Sequence, residues 1–375
     1  MILYTGPIYD SSGYAVAGRS VVRLLKNLGH DVRTFPKKDW SLLGPKLPEE
    51  MQGFLGKLEL FDNETVDADF LLVYNTQSTR IGVVPVRFNR FEQVVHTMFE
   101  TDQCPEDWVD NLNLAQHVFV PSHWGVDVFK NSGVKNVSYM PFYIDVASYH
   151  PDTPKLIKDI PGFKFMFVGD LTPRKNMGDV VKAYLNTFRN NEDVALILKI
   201  WVGNREKLRN FVNEMQAIRK HVGCGPRIPR IYVYNELTPE AAMPGFINSC
   251  DCLVMPSCGE GFGLPHLYAM SCEKPVISTN WSACSEYITD ENSLPLQYDI
   301  KPVPYPIIKI DKNFFGHQWA SPSLEHLTLL LKWVYENQSE LPAIGKKARQ
   351  TVIDKFSLPI VRGLMKTWLT ERGIA

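Results

Sequence analysis

Short apolar runs alternate with longer amphipathic stretches along most of this chain. The run ILYT at 2–5 is typical of a buried strand, and Gly13 to Leu28 repeats apolar side chains at helical spacing. A helix is also predicted over 122–133, with Ser122 as its N-cap. Further strands are predicted at 31–35, 69–74, 93–99, 117–121 and 136–141. Strands that alternate with helices in this way favour a parallel α/β sheet covered on both faces.

The pattern restarts after the stretch YHPDTP at 149–154, which has the composition of a linker. A helix is predicted from Asn176 to Phe188, and helical structure from about Ser321 onward. Strands are predicted at 163–170, 195–201, 230–234, 252–256 and 275–279. We therefore expect two α/β units in tandem with a boundary near residue 150. Ligands of open parallel sheets bind at the carboxyl ends of the strands, so the residues that directly follow the predicted strands are the candidates for a binding site.

Composition narrows the class of protein. The chain has 375 residues with a formal net charge of −1, which gives no global sign of a nucleic-acid-binding protein. Its N-terminus lacks the basic start of a signal peptide, and no apolar run approaches the roughly 18 residues of a membrane span. Seven scattered cysteines suit reduced thiols, so a cytoplasmic protein is expected. Cys250, Cys252 and Cys258 lack paired CxxC spacing or clustered histidines, so no metal is expected.

Two loops after predicted strands carry groups suited to an anion. The loop from Gly6 to Gly13 supplies small residues before a helix N-terminus, which attracts a phosphate or a sugar; an ordinary strand–helix turn is the alternative. The segment FVGDLTPRKN at 167–176 places Arg174 and Lys175 near a helix start. Cations there oppose the helix dipole, which suggests a compensating anion. A solvated surface turn is the alternative interpretation.

A third loop, EGFGLPHLYAM at 260–270, follows the strand predicted at 252–256. Gly261 and Gly263 permit close backbone approach, and the N–H groups around Gly263 and Leu264 could cradle a phosphate. Glu260 stands at the strand end, where a carboxylate can accept sugar hydroxyls or offset positive charge in a transition state. A simple acidic residue at a helix start is the alternative.

A fourth candidate group lies in VVHTMFETD at 94–102. His96 falls within an apolar strand pattern, where a lone histidine is usually a core residue. Glu100 and Asp102 follow at the strand end, so three polar groups converge at one edge. A core role and a functional role both stay open for His96.

Three of the chain's segments resemble the retaining GT-B glycosyltransferases of family 4, also called group 1. VFVPSHWGVDVFKNSGV with YMPFYID resembles the end of the family's first domain, and FVGDLTPRKN resembles its phosphate motif. DCLVMPSCGEGFGLPHLYAMSCEKPVIST resembles its E-x7-E segment. The resemblance implies two Rossmann-like α/β/α domains that face each other across a cleft. Residues 1–148 would bind the acceptor, 149–356 the nucleotide-sugar donor, and a final helix at about 357–375 would pack back on the first domain.

The resemblance also implies roles for the candidate residues. Arg174 and Lys175 would bind the donor diphosphate and stabilise the leaving nucleotide, with no cofactor and no metal. Catalytic roles would fall to Glu260, His96, Arg174 and Lys175. Donor binding would fall to Gly13, Arg174, Lys175, Glu260, Phe262, Gly263, Leu264 and Tyr268, and acceptor binding to Glu100 and Asp102. The anomeric configuration would be retained through a front-face displacement.

Tyr268 departs from the family pattern, because a second glutamate usually stands there and holds the ribose hydroxyls. A tyrosine can donate one hydrogen bond but lacks a carboxylate's two oxygens. The ribose is then held otherwise, or nucleotide affinity is low, or activity is lost. Because Glu260, Arg174 and Lys175 all remain, we expect a working enzyme.

Other functions stay open beside this one. A nucleotide-sugar 2-epimerase would need further acid/base residues, and a nucleotide-sugar- or glycan-binding relative without activity is also possible. Asp67-Ala-Asp69 spells the metal motif of GT-A transferases but precedes an apolar strand, which favours a strand edge. The donor is expected to be a UDP- or GDP-sugar, with UDP first.

The acceptor could be a glycan, a protein, a lipid-linked sugar or a hydroxymethylated DNA base. Arg80, Arg87 and Arg90 lie in a basic–aromatic stretch, Thr79 to Gln93, that would suit a phosphate-bearing acceptor or peripheral membrane contact. A solvated loop is the alternative there.

Overall fold

The structure described here is a computed structural model of the chain. The structure describes residues 1–10, 12–36, 47, 49–59, 70–74, 92–189, 191, 193–202, 205–223, 228–236 and 238–374. Asp67-Ala-Asp69 and the arginines of the basic–aromatic stretch lie outside these residues. Within them, no helix is both long enough and apolar enough to cross a bilayer.

The described helices and strands follow one another along the chain as predicted for an α/β protein. The strands are β1 (Ile2–Gly6), β2 (Val32–Pro36), β3 (Phe70–Tyr74), β4 (Glu92–His96), β5 (His117–Val120), β6 (Val137–Tyr139), β7 (Phe163–Asp170), β8 (Val194–Trp201), β9 (Arg230–Tyr234), β10 (Cys252–Met255), β11 (Val276–Thr279), β12 (Leu294–Leu296), β13 (Tyr298–Pro302) and β14 (Gln318–Pro322). The helices are α1 (Gly13–Asn27), α2 (Glu49–Gly56), α3 (Glu106–Leu112), α4 (His123–Asn131), α5 (Met177–Phe188), α6 (Arg205–Val222), α7 (Met243–Asn248), α8 (Leu264–Ser271), α9 (Tyr305–Ile310), α10 (Leu324–Glu336), α11 (Leu341–Phe356) and α12 (Leu358–Thr370).

The chain divides into two compact units. The first comprises Met1–Tyr143, Thr238–Glu240 and Lys355–Ala375, and the second comprises Ile144–Leu237 and Ala241–Asp354. The predicted domain limits, and the assignment of acceptor and donor binding to the two domains, stay predictions.

The first unit is built on a parallel sheet with the strand order β2-β1-β3-β4-β5-β6. Helix α1 begins where expected because the hydroxyl of Ser12 accepts from the amide of Ala15 at 3.1 Å, which caps its first turn. Ser122 caps α4 in the same way, accepting from the amide of Gly125 at 3.0 Å, so that prediction is confirmed. Helix α12 belongs to this unit, with the ring of Trp368 centred 4.7 Å from that of Phe119 on β5.

The second unit is built on a parallel sheet with the strand order β12-β11-β10-β7-β8-β9. This is the doubly wound Rossmann order, because β7 lies at the centre and the strands that follow it run outward first on one side and then on the other. Chain order reverses between β7 and β10. The predicted parallel α/β class is therefore confirmed for both units.

An antiparallel hairpin interrupts the α/β alternation of the second unit. Strands β13 and β14 pair with the register Ile300 opposite Ala320, and α9 lies between them. We call Tyr298–Pro322 the hairpin arm. The sequence pattern does not predict it, because prolines at 302, 304 and 306 obscure both strand and helix periodicity.

Candidate active site

Two loops of the second unit meet at the point where its strand order reverses. One follows β7 and contains a short 3-10 turn at Pro173–Lys175, and the other follows β10 and leads into α8. Ligands of doubly wound sheets bind in the crevice at the carboxyl ends of such strands. The topology alone therefore selects the two loops that the sequence analysis singled out in this unit.

Glu260 is the centre of the polar contacts between these loops. The ammonium of Lys175 donates to both carboxylate oxygens of Glu260, at 2.7 Å to Oε1 and 2.8 Å to Oε2. A guanidinium nitrogen of Arg174 lies 3.4 Å from Oε2. We call Arg174, Lys175 and Glu260 the cation–carboxylate cluster. Residues that stand 85 and 86 positions apart in the chain are thus brought into direct contact.

The cluster is largely withdrawn from solvent. The side chains of Glu260, Lys175 and Arg174 are 7, 12 and 14% exposed. Burial by itself raises the pKa of Glu260. The positive charges of Lys175 and then Arg174 together lower the pKa by more than burial raises it, so the net pKa lies well below that of an ordinary glutamate. The carboxylate is therefore ionised at neutral pH. Two cations against one anion leave the cluster with a net positive charge.

Residues outside the predicted set hold Glu260 in place. The hydroxyl of Ser257 donates to Oε1 of Glu260 at 2.6 Å, and the amide of Glu260 donates to the hydroxyl of Ser282 at 2.8 Å. Arg174 also donates to the carbonyl of Gly259 at 2.6 Å. Ser257 and Ser282 are not among the site residues predicted from the sequence. Their signal is position, since each lies just beyond the carboxyl end of a buried strand, β10 or β11.

Gly263 makes the turn from the loop into α8. Its φ is +86°, a left-handed conformation, and it is the N-cap residue of the helix. A Cβ at this position would collide with the hydroxyl of Tyr287, which donates to the carbonyl of Phe262 at 2.9 Å. Only glycine fits at this position, so the turn from the loop into α8 depends on it. As a glycine, this N-cap residue has no side chain with which to cap the start of α8.

Tyr268 lies in the second turn of α8. Its ring stacks on that of Tyr149, with centroids 3.9 Å apart and planes within 3°. The backbone carbonyl of Tyr149 in turn accepts from the hydroxyl of Ser271 at 2.7 Å and from Arg349 at 3.0 Å. Tyr268 is therefore part of the packing that joins α8 to the segment just after residue 144.

The other predicted site residues belong to the first unit. Gly13 is the first residue of α1 and is exposed. Glu100 and Asp102 are half-buried in the loop between β4 and α3. The structure thus brings Arg174, Lys175 and Glu260 together in one unit, and places Gly13, Glu100 and Asp102 at strand–helix connections of the other.

His96 ends β4 and is 1% exposed. Its ring stacks on Phe142 at a centroid distance of 4.5 Å and meets the edge of Phe119 at 5.8 Å. Burial lowers the pKa of His96 to about 3, against a smaller opposing effect of a hydrogen bond with the backbone of Met140. The imidazole is therefore neutral at physiological pH, and its catalytic role stays a prediction.

Part of the chain is similar in sequence to known glycosyltransferases. Residues 162–299, the segment that holds the whole cluster, match the family described as "Glycosyl transferases group 1". O-antigen chain mannosyltransferase B from Escherichia coli is 25% identical over 158 residues, which is 38% of this chain and 35% of that protein. The chain covers about a third to two fifths of the length of the curated relatives it matches.

Solved structures extend the likeness to the whole chain. Anabaena Alr3699/HepE, in complex with UDP and glucose, covers 99% of both chains with a TM-score of 0.66 at 14% identity. Sucrose-phosphate synthase from Thermosynechococcus elongatus covers 99% of this chain and 98% of its own, with a TM-score of 0.68 at 14% identity. At such identities these structures establish the fold. The chain therefore has the GT-B fold, and its residues 162–299 are similar in sequence to the group 1 glycosyltransferases.

Proposed function

We propose that this protein is a retaining, metal-independent glycosyltransferase of family 4 that moves a sugar from a nucleotide-sugar donor to a hydroxyl acceptor. The observation that carries the proposal is the cation–carboxylate cluster at the strand-order reversal of the second unit. Its two buried cations exceed its one buried carboxylate in charge, and such an excess favours an anionic ligand.

The diphosphate of a nucleotide-sugar donor is an anion that would balance the excess positive charge of the cluster. A lysine ammonium has three donors and an arginine guanidinium has five, so each of these side chains can contact several acceptors at once. The start of α8 adds backbone N–H groups and the positive end of a helix dipole. Positive charge fixed beside the leaving phosphate stabilises the charge that develops as the glycosidic bond breaks, which is why no metal is required.

Glu260 would contact the donor sugar as an ionised hydrogen-bond acceptor. Its lowered pKa makes it a poor proton acceptor, because an efficient general base has a pKa near the working pH. We therefore assign the acceptor's proton to the departing phosphate. The acceptor oxygen bonds to the anomeric carbon, the bond from that carbon to the phosphate oxygen breaks, and the hydroxyl proton moves to the phosphate on the same face. Same-face attack retains the configuration.

UDP-sugars stand first among the donors and GDP-sugars next. The solved Anabaena protein is described with UDP-glucose, and the Escherichia coli relative is a mannosyltransferase by name. Glycans, proteins, lipid-linked sugars and hydroxymethylated DNA bases stay candidate acceptors. Acceptor binding that weakens steeply with salt would point to a phosphate-bearing class.

A donor screen without acceptor tests the proposal. The protein is mixed with UDP-, GDP- and ADP-sugars, with and without EDTA, and thermal shift and released nucleotide are recorded. One donor should raise the Tm and be hydrolysed slowly at a rate that EDTA does not change. A Lys175→Met variant is the control and should bind that donor more weakly. If no nucleotide sugar stabilises the protein, the proposal is wrong and an inactive relative takes its place.

The same hydrolysis reports the stereochemistry. With an α-linked donor such as UDP-glucose, proton NMR of the freshly released sugar should show the α anomer before mutarotation. A β anomer formed first would contradict the front-face mechanism.

A further inference from the structure

The hairpin arm lies against the loop that carries Glu260. Cys258, Val303 and Trp319 form a buried apolar cluster, with 7, 3 and 5% exposure. Val303 and Trp319 belong to the arm, whereas Cys258 lies two residues before Glu260. All but the first two residues of the arm fall beyond the segment that matches the family, which ends at residue 299. The arm thus lies almost wholly outside the matched segment.

A line of hydrogen bonds runs from the arm to the cation–carboxylate cluster. The amide of Ala320 in β14 donates to the carbonyl of Cys258 at 3.0 Å, and the amide of Cys258 donates to the carbonyl of Arg174 at 2.7 Å. Arg174 closes the line by donating to the carbonyl of Gly259. The backbone that positions both Arg174 and Glu260 is therefore clamped from the outside by β14.

The same apolar cluster reaches Glu260 from a second direction. Trp281 is partly buried and packs against this cluster. The next residue, Ser282, accepts the hydrogen bond from the amide of Glu260. Two independent contacts to the loop, one through Ala320 and one through Ser282, thus depend on one apolar cluster that Trp319 completes.

We propose that Trp319 is a positioning residue that holds the cation–carboxylate cluster in its working geometry through the hairpin arm. The inference rests on the proposed function of that cluster. Loss of the indole leaves space beside Cys258, into which the loop can relax. A small shift of the cluster should reduce its effect on the transition state more than it weakens donor binding, so turnover should fall more than donor affinity.

The kinetic test compares variants with the best donor of the screen, for example UDP-glucose, and measures released nucleotide. Trp319→Ala should lower kcat by about 10- to 100-fold with a donor KM within about threefold of wild type. Trp319→Phe should restore most of kcat, and Val303→Ala should have a smaller effect than Trp319→Ala. Phe315→Ala is the matched control, because Phe315 is an aromatic residue of the same arm that is 78% exposed. It should behave as wild type.

Hydrogen exchange gives a readout that needs no turnover. Amides of the peptide covering 256–263 should exchange faster in Trp319→Ala than in wild type or Phe315→Ala, at temperatures where all three are folded. If wild type hydrolyses no donor, the proposed function fails, yet the exchange experiment still tests the clamp. If Trp319→Ala keeps both wild-type kcat and wild-type exchange, the positioning role is wrong. If Trp319→Ala does not fold, Val303→Ala carries the same two measurements with the same expected directions.

Discussion

The two units use related parallel sheets but bury polar groups in opposite ways. In the second unit, Glu260 stays ionised in the interior because Lys175 and Arg174 lie beside it. In the first unit, His96 is buried against Phe142 and Phe119, and it stays neutral because burial disfavours the charged form.

The buried carboxylate and the buried histidine, each near the end of a strand, differ in what their burial costs. A buried carboxylate costs several kcal/mol of desolvation unless cations and hydrogen bonds compensate, so a cluster of this kind is a functional-site candidate rather than a stability device. A neutral histidine stacked on aromatic rings costs far less. The four predictions below test this contrast, from the largest expected effect to the smallest.

Replacement of the buried carboxylate should have the largest effect. Glu260→Gln leaves the charges of Lys175 and Arg174 buried without a counter-ion, which should cost about 3–5 kcal/mol of unfolding free energy. Donor turnover should fall by about 10²–10³-fold, the range found when one electrostatic contact to a transition state is removed. Chemical unfolding and nucleotide release measure the two effects.

The control for this change is Glu325→Gln, at an exposed first-turn position of α10. It should cost no more than about 1 kcal/mol and leave turnover unchanged. Wild-type stability and turnover in Glu260→Gln would show that the cation–carboxylate cluster is not the charge-compensated site described here.

A methyl group at the turn into α8 should have the next largest effect. Gly263→Ala and Gly316→Ala both place alanine at a positive φ, +86° and +78°, which costs about 1–3 kcal/mol. At Gly263 the new Cβ meets the hydroxyl of Tyr287, whereas at Gly316 no atom of the described residues lies within 4 Å. Thermal unfolding should therefore show a larger loss for Gly263→Ala. Equal losses in the two variants would rule out the steric contribution, and Tyr287→Phe should partly rescue Gly263→Ala.

Lowering the pH should destabilise the protein through the buried neutral His96 of the first unit. The unfolded chain binds a proton on His96 near pH 6.5, but the folded chain binds it only near pH 3. Between these values the unfolded state holds more protons, so the free energy of unfolding decreases as the pH falls, by up to about 1.4 kcal/mol per pH unit for each such histidine. Buried His266, whose pKa is lowered to about 4, adds to this slope.

In urea unfolding between pH 6.5 and 5, the free energy of unfolding of His96→Gln should depend less steeply on pH than that of wild type, because the contribution of one histidine is removed. Glu260 does not affect the slope in this pH range. Its pKa is lowered in the folded state, so the stability that its ionised form contributes is fully present above the ordinary glutamate pKa of 4.5 and is lost as the pH falls below that value. An unchanged slope in His96→Gln would contradict a buried neutral His96.

The smallest effect is expected at Tyr268. Tyr268→Phe keeps the stack on Tyr149 and should leave stability within about 0.5 kcal/mol, while Tyr268→Glu removes an aromatic pair worth about 0.5–1.5 kcal/mol. Tyr268→Glu should change mainly the donor KM and leave turnover measurable. A variant with no turnover at all would exclude Tyr268 from the ribose position.

Local sequence patterns predicted much of the architecture. Apolar runs gave the positions of β1, β7 and β10 because buried parallel strands have a continuous apolar composition. Ser122 could be recognised as an N-cap because the first turn of any helix has unpaired N–H groups that a short polar side chain satisfies. The hairpin arm escaped prediction because β13 is mostly exposed and prolines at 302, 304 and 306 obscure the strand and helix periodicity.

The sequence by itself determined two tandem α/β units and loops whose cations, carboxylate and glycines suit a phosphorylated ligand. These follow from spacing within a few residues, where helix and strand periodicity operate. Only the tertiary structure decided that Lys175 contacts Glu260, that Ser282 and the hairpin arm hold the loop, and that His96 is neutral. Those features depend on contacts between residues far apart in the chain and on the local exclusion of water, neither of which a linear pattern contains.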